Sequence, residues 1–356
     1  LENQDIRWES SEQLDIGLET GFFQNKLTAT FDYYKKTTKD LLQNVTAVSS
    51  LGQDLRVANV GEMVNEGFEI TMEWRENKGD FGYSIGANAT YNQNTMTQVA
   101  NEAGFISGAS WALSGEVTRT YEGHPVVSFY GFKTDGIFQN QSEVFSHISN
   151  EGDVLQPNAQ PGDIRYVDVD GDGVISDADR TIIGSPLPDW TIGSSLSANY
   201  KGFDISMLLI GQYGLEIFNG MNRPDIVTSN RQSYILDQWT EENPSQTIPR
   251  FSANDPNKNY TRATDMINIE DGSYLRVKNV QIGYRIPTSL LDKMRASNWR
   301  VYLSAENLFT LTGYSGADPE VGSTVSDGNV NIRDTGIDRG IYPQARTFRV
   351  GTSITF

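Results

Sequence analysis

The chain has 356 residues, but it contains no cysteine and only two histidines, His124 and His147. The lack of cysteine excludes a disulfide scaffold and thiol chemistry. No Ser/His/Asp arrangement and no phosphate-binding loop is visible, and acidic residues are too numerous for any one pair to indicate a catalytic site. We therefore expect that this protein is not an enzyme.

Basic residues are also scarce, because 28 lysines and arginines stand against 46 acidic residues and give a formal net charge of -18. This balance argues against a nucleic-acid partner, since binding to a phosphate backbone requires a basic surface. It favours neutral ligands and bound divalent cations. Acidic loops that serve only solubility would give the same composition.

Long apolar runs are missing as well. Hydrophobic residues make up 37% of the chain, the mean hydropathy is -0.45, and no stretch approaches the roughly 18 consecutive apolar residues of a membrane helix. A membrane β-barrel is not excluded by this, because only every second residue of a barrel strand faces lipid.

What the sequence does contain is a repeated two-residue alternation. In the last eleven residues Phe348, Val350, Ile354 and Phe356 fall on one face of an extended chain, and polar residues and glycine fall on the other. Segments 27–33, 81–92, 203–213 and 299–309 repeat the pattern, and several such segments have the roughly 9 to 11 residues that a tilted strand needs to cross a bilayer. The sequence therefore predicts an all-β protein, a transmembrane antiparallel β-barrel.

The spacing predicts about eleven strands, near 8–21, 25–38, 61–76, 81–95, 110–121, 124–137, 189–200, 203–217, 272–286, 298–310 and 345–356. Short connections at 22–26, 76–80, 122–125 and 200–203, and a longer one at 287–298, alternate with polar segments at 37–60, 98–113, 139–189, 218–269 and 312–344. Short turns on one rim and long loops on the other are typical of outer-membrane barrels, in which the long loops are extracellular.

The odd number of strands is informative, because bacterial single-chain barrels have even numbers. The sequence also begins without an initiator methionine or a signal peptide. We expect residues 1–356 to be a carboxy-terminal portion of a larger barrel, whose other strands close its open edges.

One predicted loop carries a calcium-loop motif. Residues 168–179 match the twelve-residue pattern with carboxylates at positions 1, 3, 5 and 12, glycine at position 6 and a backbone carbonyl at position 7. The predicted calcium ligands are Asp168, Asp170, Asp172, Val174, Ser176 and Asp179. Helices do not flank the motif, so we expect a structural ion that stiffens the loop. A metal-free Asp/Gly-rich turn is the alternative.

Four segments carry a family resemblance. Residues 122–138, 162–214, 270–287 and 299–321 resemble the SusC-like branch of TonB-dependent outer-membrane transporters of Bacteroidetes. The resemblance implies a 22-stranded barrel of which this chain supplies the carboxy-terminal half, a plug domain that is not in this chain, a SusD-like lid lipoprotein, and energy supplied by TonB. It also implies active import of an oligosaccharide or peptide across the cell outer membrane, with lipid around the barrel.

No residue distinguishes a glycan from a peptide ligand. Aromatic residues of the predicted loops are candidates for ligand contact, with packing inside the loops or contact with the lid as the alternative for each. These candidates are Trp111, Tyr213, Phe218, Tyr234, Trp239, Tyr260, Tyr314 and Tyr342. A function of another class stays open: a secreted, calcium-stiffened β-rich adhesin or carbohydrate-binding module that does not enter a membrane.

Overall fold

The computed structural model describes residues 6–45, 56–59, 61–101, 103–221, 223, 230–252, 254–291, 296–326 and 329–356. Parts of the predicted loops, including residues 46–55 and 224–229, therefore lie outside the described residues.

One antiparallel sheet of nine long strands dominates the described part of the chain. Its strands follow one another in space in the order of the sequence, so that the first and last are its edges. They are β1 (Ser10–Phe22), β2 (Leu27–Lys39), β3 (Gly61–Lys78), β4 (Phe81–Val99), β5 (Trp190–Tyr200), β6 (Phe203–Tyr213), β7 (Tyr274–Arg285), β8 (Asn298–Thr312) and β9 (Thr347–Thr355). The predicted fold class is confirmed.

The connections are sorted between the two rims as the sequence predicts. Short turns join β1 to β2, β3 to β4 and β5 to β6, and residues 286–297 join β7 to β8 at the same rim. Lys201 and Gly202, with φ angles of 42° and 89°, form the two-residue turn between β5 and β6, because two positive φ values match the twist of the flanking strands. The connections 40–60, 100–189, 214–273 and 313–346 leave from the opposite rim.

Two of the eleven predicted strands, 110–121 and 124–137, do not belong to this sheet. Thr118–Tyr121 and Ser128–Phe132 instead pair with each other in a small sheet that also contains Phe105–Ser107 and Arg180–Gly184. All five residues of Ser128–Phe132 are buried, so this strand has no face to offer to lipid. The described barrel wall thus has nine strands, the predicted turn 122–125 lies within the small sheet, and the predicted loops 98–113 and 139–189 are parts of one connection.

The register aligns the apolar residues of neighbouring strands into continuous rows on one face. One row runs through Ile85, Leu196, Met207 and Val280, and another through Ala198, Ile205, Ile282, Leu303 and Val350. Leu303 and Val350 are 59% and 82% exposed. Among the described residues, this face is covered by no second sheet, as expected for a wall that meets lipid.

Aromatic rows border this apolar face at both ends. Near the long-loop rim, Phe68, Tyr91, Trp190 and Tyr213 follow one another across adjacent strands, and near the short-turn rim Phe81, Tyr200, Phe203 and Tyr284 do the same. The two rows have the arrangement of the aromatic girdles of outer-membrane barrels, which lie at the two membrane interfaces.

The long connections fold into a structure of their own. We call the described parts of residues 100–189, 214–273 and 313–346 the loop unit. A core cluster holds it together and draws on all three connections: Ala109, Trp111, Val117, Phe129, Phe218, Ala263 and Ile337. Glu216–Asn219 pairs antiparallel with Ile269–Asp271 and parallel with Ile337–Asp338, so strands from two connections share one sheet.

The remaining elements are short. Two-stranded pairs are Leu42–Val45 with Arg56–Asn59, Ser110–Trp111 with Gly115–Glu116, Thr134–Ile137 with Ile164–Tyr166, and Thr324–Ser326 with Asn329–Asn331. Helices are Gln141–Ser146, Asp265–Asn268 and Thr288–Leu291, with 3-10 turns at Ala112–Ser114, Asp177–Asp179, Ser233–Asp237 and Ile332–Asp334. Within the described ranges, no helix has the length and hydrophobicity needed to span a membrane.

Candidate functional site

The polar face of the nine-stranded sheet forms the inner wall of the candidate site. A representative row of side chains crosses five strands in register, from Asp32 through Glu69, Thr90 and Thr191 to Gln212. These residues occupy the positions that alternate with the apolar rows, and none of them has an apolar side chain. The wall is therefore suited to water and to hydrophilic ligands.

Ion pairs attach the loop unit to this wall. Arg276 of β7 is 2% exposed, and its guanidinium lies 2.6 Å from Asp318 and 3.0 Å from Glu320, both in the connection after β8. Lys278 lies 3.3 Å from Glu320. The pairing register shifts between Val277 and Asn279, so Lys278 occupies a β-bulge, a feature that redirects a side chain.

Asp318 is held as a carboxylate despite its burial. Burial opposes ionisation, but the amides of Gln344 and Glu320 and the guanidinium of Arg276 all donate to the carboxylate and hold its pKa below its usual value. The connection after β8 is therefore attached to the wall through a charged group and not through apolar packing alone.

A second polar network joins two other connections inside the loop unit. Asp163 is fully buried, and its carboxylate accepts hydrogen bonds from the guanidinium of Arg250 at 2.5 and 3.1 Å and from the side-chain amide of Asn259 at 2.8 Å. Gln156 donates to Asn257 at 2.8 Å. Because these partners lie about a hundred residues apart in sequence, the network fixes the shape of the unit, and the sequence offered no local signal for it.

The calcium-loop motif forms a compact turn. One carboxylate oxygen from each of Asp168, Asp170 and Asp172 lies within 4.8 Å of the others. The Asp168 carboxylate accepts from the amides of Gly171 at 2.8 Å and Gly173 at 3.0 Å, and the φ angle of 83° at Gly173 permits the sharp turn. Three hard oxygen donors at this spacing fit one calcium ion, whose oxygen ligands lie about 2.3–2.6 Å from it.

The other predicted calcium ligands have different surroundings. Asp179 is fully buried, and its carboxylate accepts from the amides of Val169 at 2.8 Å and Ser176 at 2.7 Å. The hydroxyl of Ser176 accepts from the amide of Ala178 at 3.1 Å, so Ser176 and Asp179 form a capping box at the 3-10 turn. Val174 follows the three clustered carboxylates, and its amide donates to Asp172. The structure thus brings together three of the four predicted carboxylate ligands, Asp168, Asp170 and Asp172.

Most of the predicted ligand-contacting aromatic residues lie in the interior of the loop unit. Five of the eight are buried: Trp111, Phe218, Trp239, Tyr260 and Tyr314. Trp111 packs edge to face on Phe218 and donates its indole N–H to the carbonyl of Gly220 at 3.0 Å. The hydroxyl of Tyr314 donates to Asp338 at 2.7 Å. These side chains stabilise the unit, and in this conformation they present no ring face to a ligand.

The other three aromatic candidates have different positions. Tyr213 is 63% exposed but lies on the apolar face of the sheet, in the aromatic row near the long-loop rim, so it faces away from the inner wall. Tyr342 is 89% exposed in the connection after β8, and Tyr234 is half-buried. Of the eight, Tyr342 is the most accessible to a ligand.

The small sheet carries a cationic cluster whose residues are not among the site residues predicted from the sequence. The guanidinium of Arg119 lies between two rings, 3.8 Å from the centre of Phe105 and 3.9 Å from that of Tyr130, and the guanidinium of Arg180 lies 4.5 Å from Tyr130. Burial lowers the pKa of Arg180. The sequence signal for it is the alternation Thr118, Arg119, Thr120, which in a strand places the arginine on the face opposite the two threonines.

The family model, the curated relatives and the solved structures that match this chain agree with one another. The family described as TonB dependent receptor-like, beta-barrel matches residues 1–308. TonB-dependent receptor P3 of Formosa agariphila is 34% identical over 99% of this chain, and SusC of Bacteroides thetaiotaomicron is 25% identical over 99%. The structure of the RagAB peptide transporter covers 99% of the chain at 26% identity with a TM-score of 0.76. The chain spans about a third of the length of these relatives, 35%, 32% and 36% respectively.

Proposed function

Because this chain belongs to the TonB-dependent receptor β-barrel family, we propose that it forms part of an active importer of a peptide or an oligosaccharide, with a peptide favoured. Its localisation in the outer membrane and its likeness to SusC are as predicted. Its relatives are transporters and not enzymes, also as predicted.

One observation carries the proposal: a sheet with an uncovered apolar face and a polar face over which a folded loop unit is attached. A wall of this kind separates lipid from an aqueous lumen, and the loop unit supplies a preformed surface at one end of that lumen. The alternative, a secreted adhesin, requires protein to cover the apolar rows. The exposure of Leu303 and Val350 and the family membership argue against it.

The preference for a peptide rests on the RagAB likeness, since that relative is described as a peptide transporter. The proposed partners are a SusD-like surface lipoprotein acting as a lid, and the TonB complex acting through parts of the protein outside this chain. The buried loop aromatics do not favour a sugar ligand, because sugar stacking requires an accessible ring face.

Uptake by living cells tests the proposal. Cells that carry the full-length receptor and cells that lack it are supplied with a tryptic digest of casein or with neutral glucose oligosaccharides, and depletion of each from the medium is measured. We expect peptide depletion that requires both the receptor and TonB. Equal depletion without the receptor would refute import, and receptor-dependent depletion of the oligosaccharides alone would refute the peptide assignment.

We further propose that Asp168, Asp170 and Asp172 hold one structural calcium ion, with the carbonyl of Val174 completing part of the shell. Three carboxylates this close repel one another, and a divalent cation removes that repulsion. Ser176 and Asp179 would then act by shaping the loop through the capping box and not as direct ligands. The ion would stiffen the connection between β4 and β5, against which a lid or ligand packs.

Metal analysis of the purified full-length receptor tests this site. With calcium in excess, we expect one more bound calcium per receptor in the wild type than in the double variant Asp170→Ala with Asp172→Ala. Asp177→Ala is the matched control, because Asp177 lies in the adjacent 3-10 turn and outside the carboxylate cluster. Equal calcium content in the wild type and the double variant would reduce the site to a metal-free turn.

A further inference from the structure

Arg180 is a half-buried cation that forms no salt bridge with an acidic side chain among the described residues. Its guanidinium donates to the backbone carbonyl of Glu116, and its buried Nε has no hydrogen-bond partner. The neighbouring Arg119 is different, because Glu116 accepts from both its Nε and its Nη2. Within this cluster of two arginines and one glutamate, the guanidinium of Arg180 is therefore hydrogen-bonded to no carboxylate, and Asp177 and Glu116 act on it only electrostatically, without a salt bridge.

Such a charge is costly to retain. Burying a cation away from water without a counterion is unfavourable, and buried charges in proteins are normally paired. The absence, in the described part of the chain, of a carboxylate paired directly with Arg180 is unexpected in a chain with a net charge of -18, in which acidic residues are abundant. A half-buried guanidinium that no carboxylate contacts directly is what a binding site for an anion requires before the anion arrives.

The cluster lies over the polar face of the barrel wall. The hairpin that carries Arg119 and Tyr130 docks on β4, where Asn94 accepts from the amide of Val126 at 2.9 Å and the amide of Met96 donates to the carbonyl of His124 at 2.9 Å. Asn94 occupies a position on the polar face of β4. The cluster is therefore on the lumen side of the wall.

We propose that Arg180, positioned by the ring of Tyr130 and the backbone carbonyl of Glu116, binds a carboxylate of the imported peptide. A planar guanidinium matches a carboxylate because two parallel N–H groups meet two oxygens. The ring of Tyr130 holds the guanidinium in place before binding, which lowers the entropic cost of complex formation. Acidic groups farther than a Debye length of about 8 Å are screened, so Asp177 and Glu116 are the carboxylates with which an incoming anion competes for Arg180.

This inference rests on the proposed function, and a cross of receptor and ligand variants tests it. The purified full-length receptor, with its lid where one co-purifies, is offered a tryptic casein digest and the same digest after methyl esterification, which converts every carboxylate into a neutral ester. Retained peptides are eluted and quantified by mass spectrometry. Receptor variants are Arg180→Gln, Arg180→Lys and, as a control with the same loss of charge at an exposed position, Arg346→Gln.

We expect the wild type and Arg346→Gln to retain the native digest at least about tenfold better than the esterified digest, as for loss of one charge-assisted contact. Arg180→Gln should retain both digests equally, and Arg180→Lys should keep part of the wild type's preference for the native digest over the esterified one. Unchanged heat-modifiable migration on gels shows that each variant is folded.

Three results would overturn the assignment. Equal retention of both digests by the wild type would show that the receptor does not recognise peptide carboxylates, although it would remain compatible with peptide import. A preference that survives in Arg180→Gln places the carboxylate elsewhere. Retention of neither digest refutes the peptide ligand itself and with it this site.

Discussion

Leu208 and Leu209 are adjacent in β6 but lie on opposite faces of the wall. Leu209 pairs with Ser194 and Val277 in the apolar rows, whereas Leu208 pairs with Ser195 and Asn279 on the polar face. Substitution of each leucine by arginine changes the same residue type at nearly the same depth in the membrane. The pair therefore separates the effect of the face from the effects of size and charge.

The depth of Leu209 follows from the two aromatic rows, which cross β6 at Phe203 and Tyr213. These residues are ten positions apart, which at about 3.4 Å per residue and a tilt of about 40° corresponds to roughly 26 Å across the membrane. Leu209 then lies about 3 Å from the midplane, and Ile205 about 5 Å inside the row at the short-turn rim.

We expect Leu209→Arg to destabilise the barrel by about 2–4 kcal/mol, the cost of a lipid-facing arginine near the midplane. Ile205→Arg should cost less, because the penalty falls to about 0–1 kcal/mol near the interface. Leu208→Arg should cost about 1 kcal/mol at most, since its side chain enters the aqueous lumen.

Folding of the full-length receptor from urea into lipid vesicles, followed by heat-modifiable migration, gives the three free energies. The reasoning fails if Leu208→Arg is as harmful as Leu209→Arg, because the face assignment would then be wrong. If Ile205→Arg lowers the free energy of unfolding as much as Leu209→Arg does, the membrane depths derived from the aromatic rows are wrong.

The remaining predictions concern the loop unit. Asp318→Asn should weaken the attachment of the connection after β8 by about 1.5–3 kcal/mol, as for loss of a hydrogen bond to a charged group, and should raise hydrogen exchange in residues 313–323. Because folding lowers the pKa of Asp318, the stability that its carboxylate contributes is fully present above the unfolded pKa of about 3.9 and is lost as the pH falls through the folded pKa. Protease cleavage of this connection should therefore increase below about pH 4 in the wild type. An unchanged cleavage pattern in acid would contradict this prediction. Trp111→Ala should destabilise the loop unit by about 3–5 kcal/mol, seen as faster hydrogen exchange there, while the barrel stays folded. If ligand binding is lost but hydrogen exchange of the loop unit is unchanged, Trp111 is a ligand contact and not a core residue.

The barrel wall could be predicted from the sequence because lipid contact imposes a strict period. Each of the nine strands must show an apolar face, and the register then follows from the short turns, as at Lys201 and Gly202. The segment Ser128–Phe132 was misassigned because short strands inside a folded unit alternate only loosely. Its run of aromatic residues lacks the polar face that a lumen wall needs, and this was the available warning.

The site was less predictable for a different physical reason. The calcium-loop carboxylates are local in sequence, so their clustering at Asp168, Asp170 and Asp172 could be expected from spacing alone. Whether Trp111 or Tyr314 faces a ligand or a core depends on partners more than twenty residues away, such as Gly220 and Asp338. No periodicity encodes such partners.

The parallel pairing of Phe218 with Ile337 also has a consequence for the order of folding. The two residues are separated in sequence by β7 and β8, so their pairing closes a long loop that contains this hairpin. Contacts between such distant parts of a chain are slow to form, because the entropy of closing the intervening loop is lost before the contact compensates for it. We therefore expect the core of the loop unit to be completed last, only after the strands of the wall are in register.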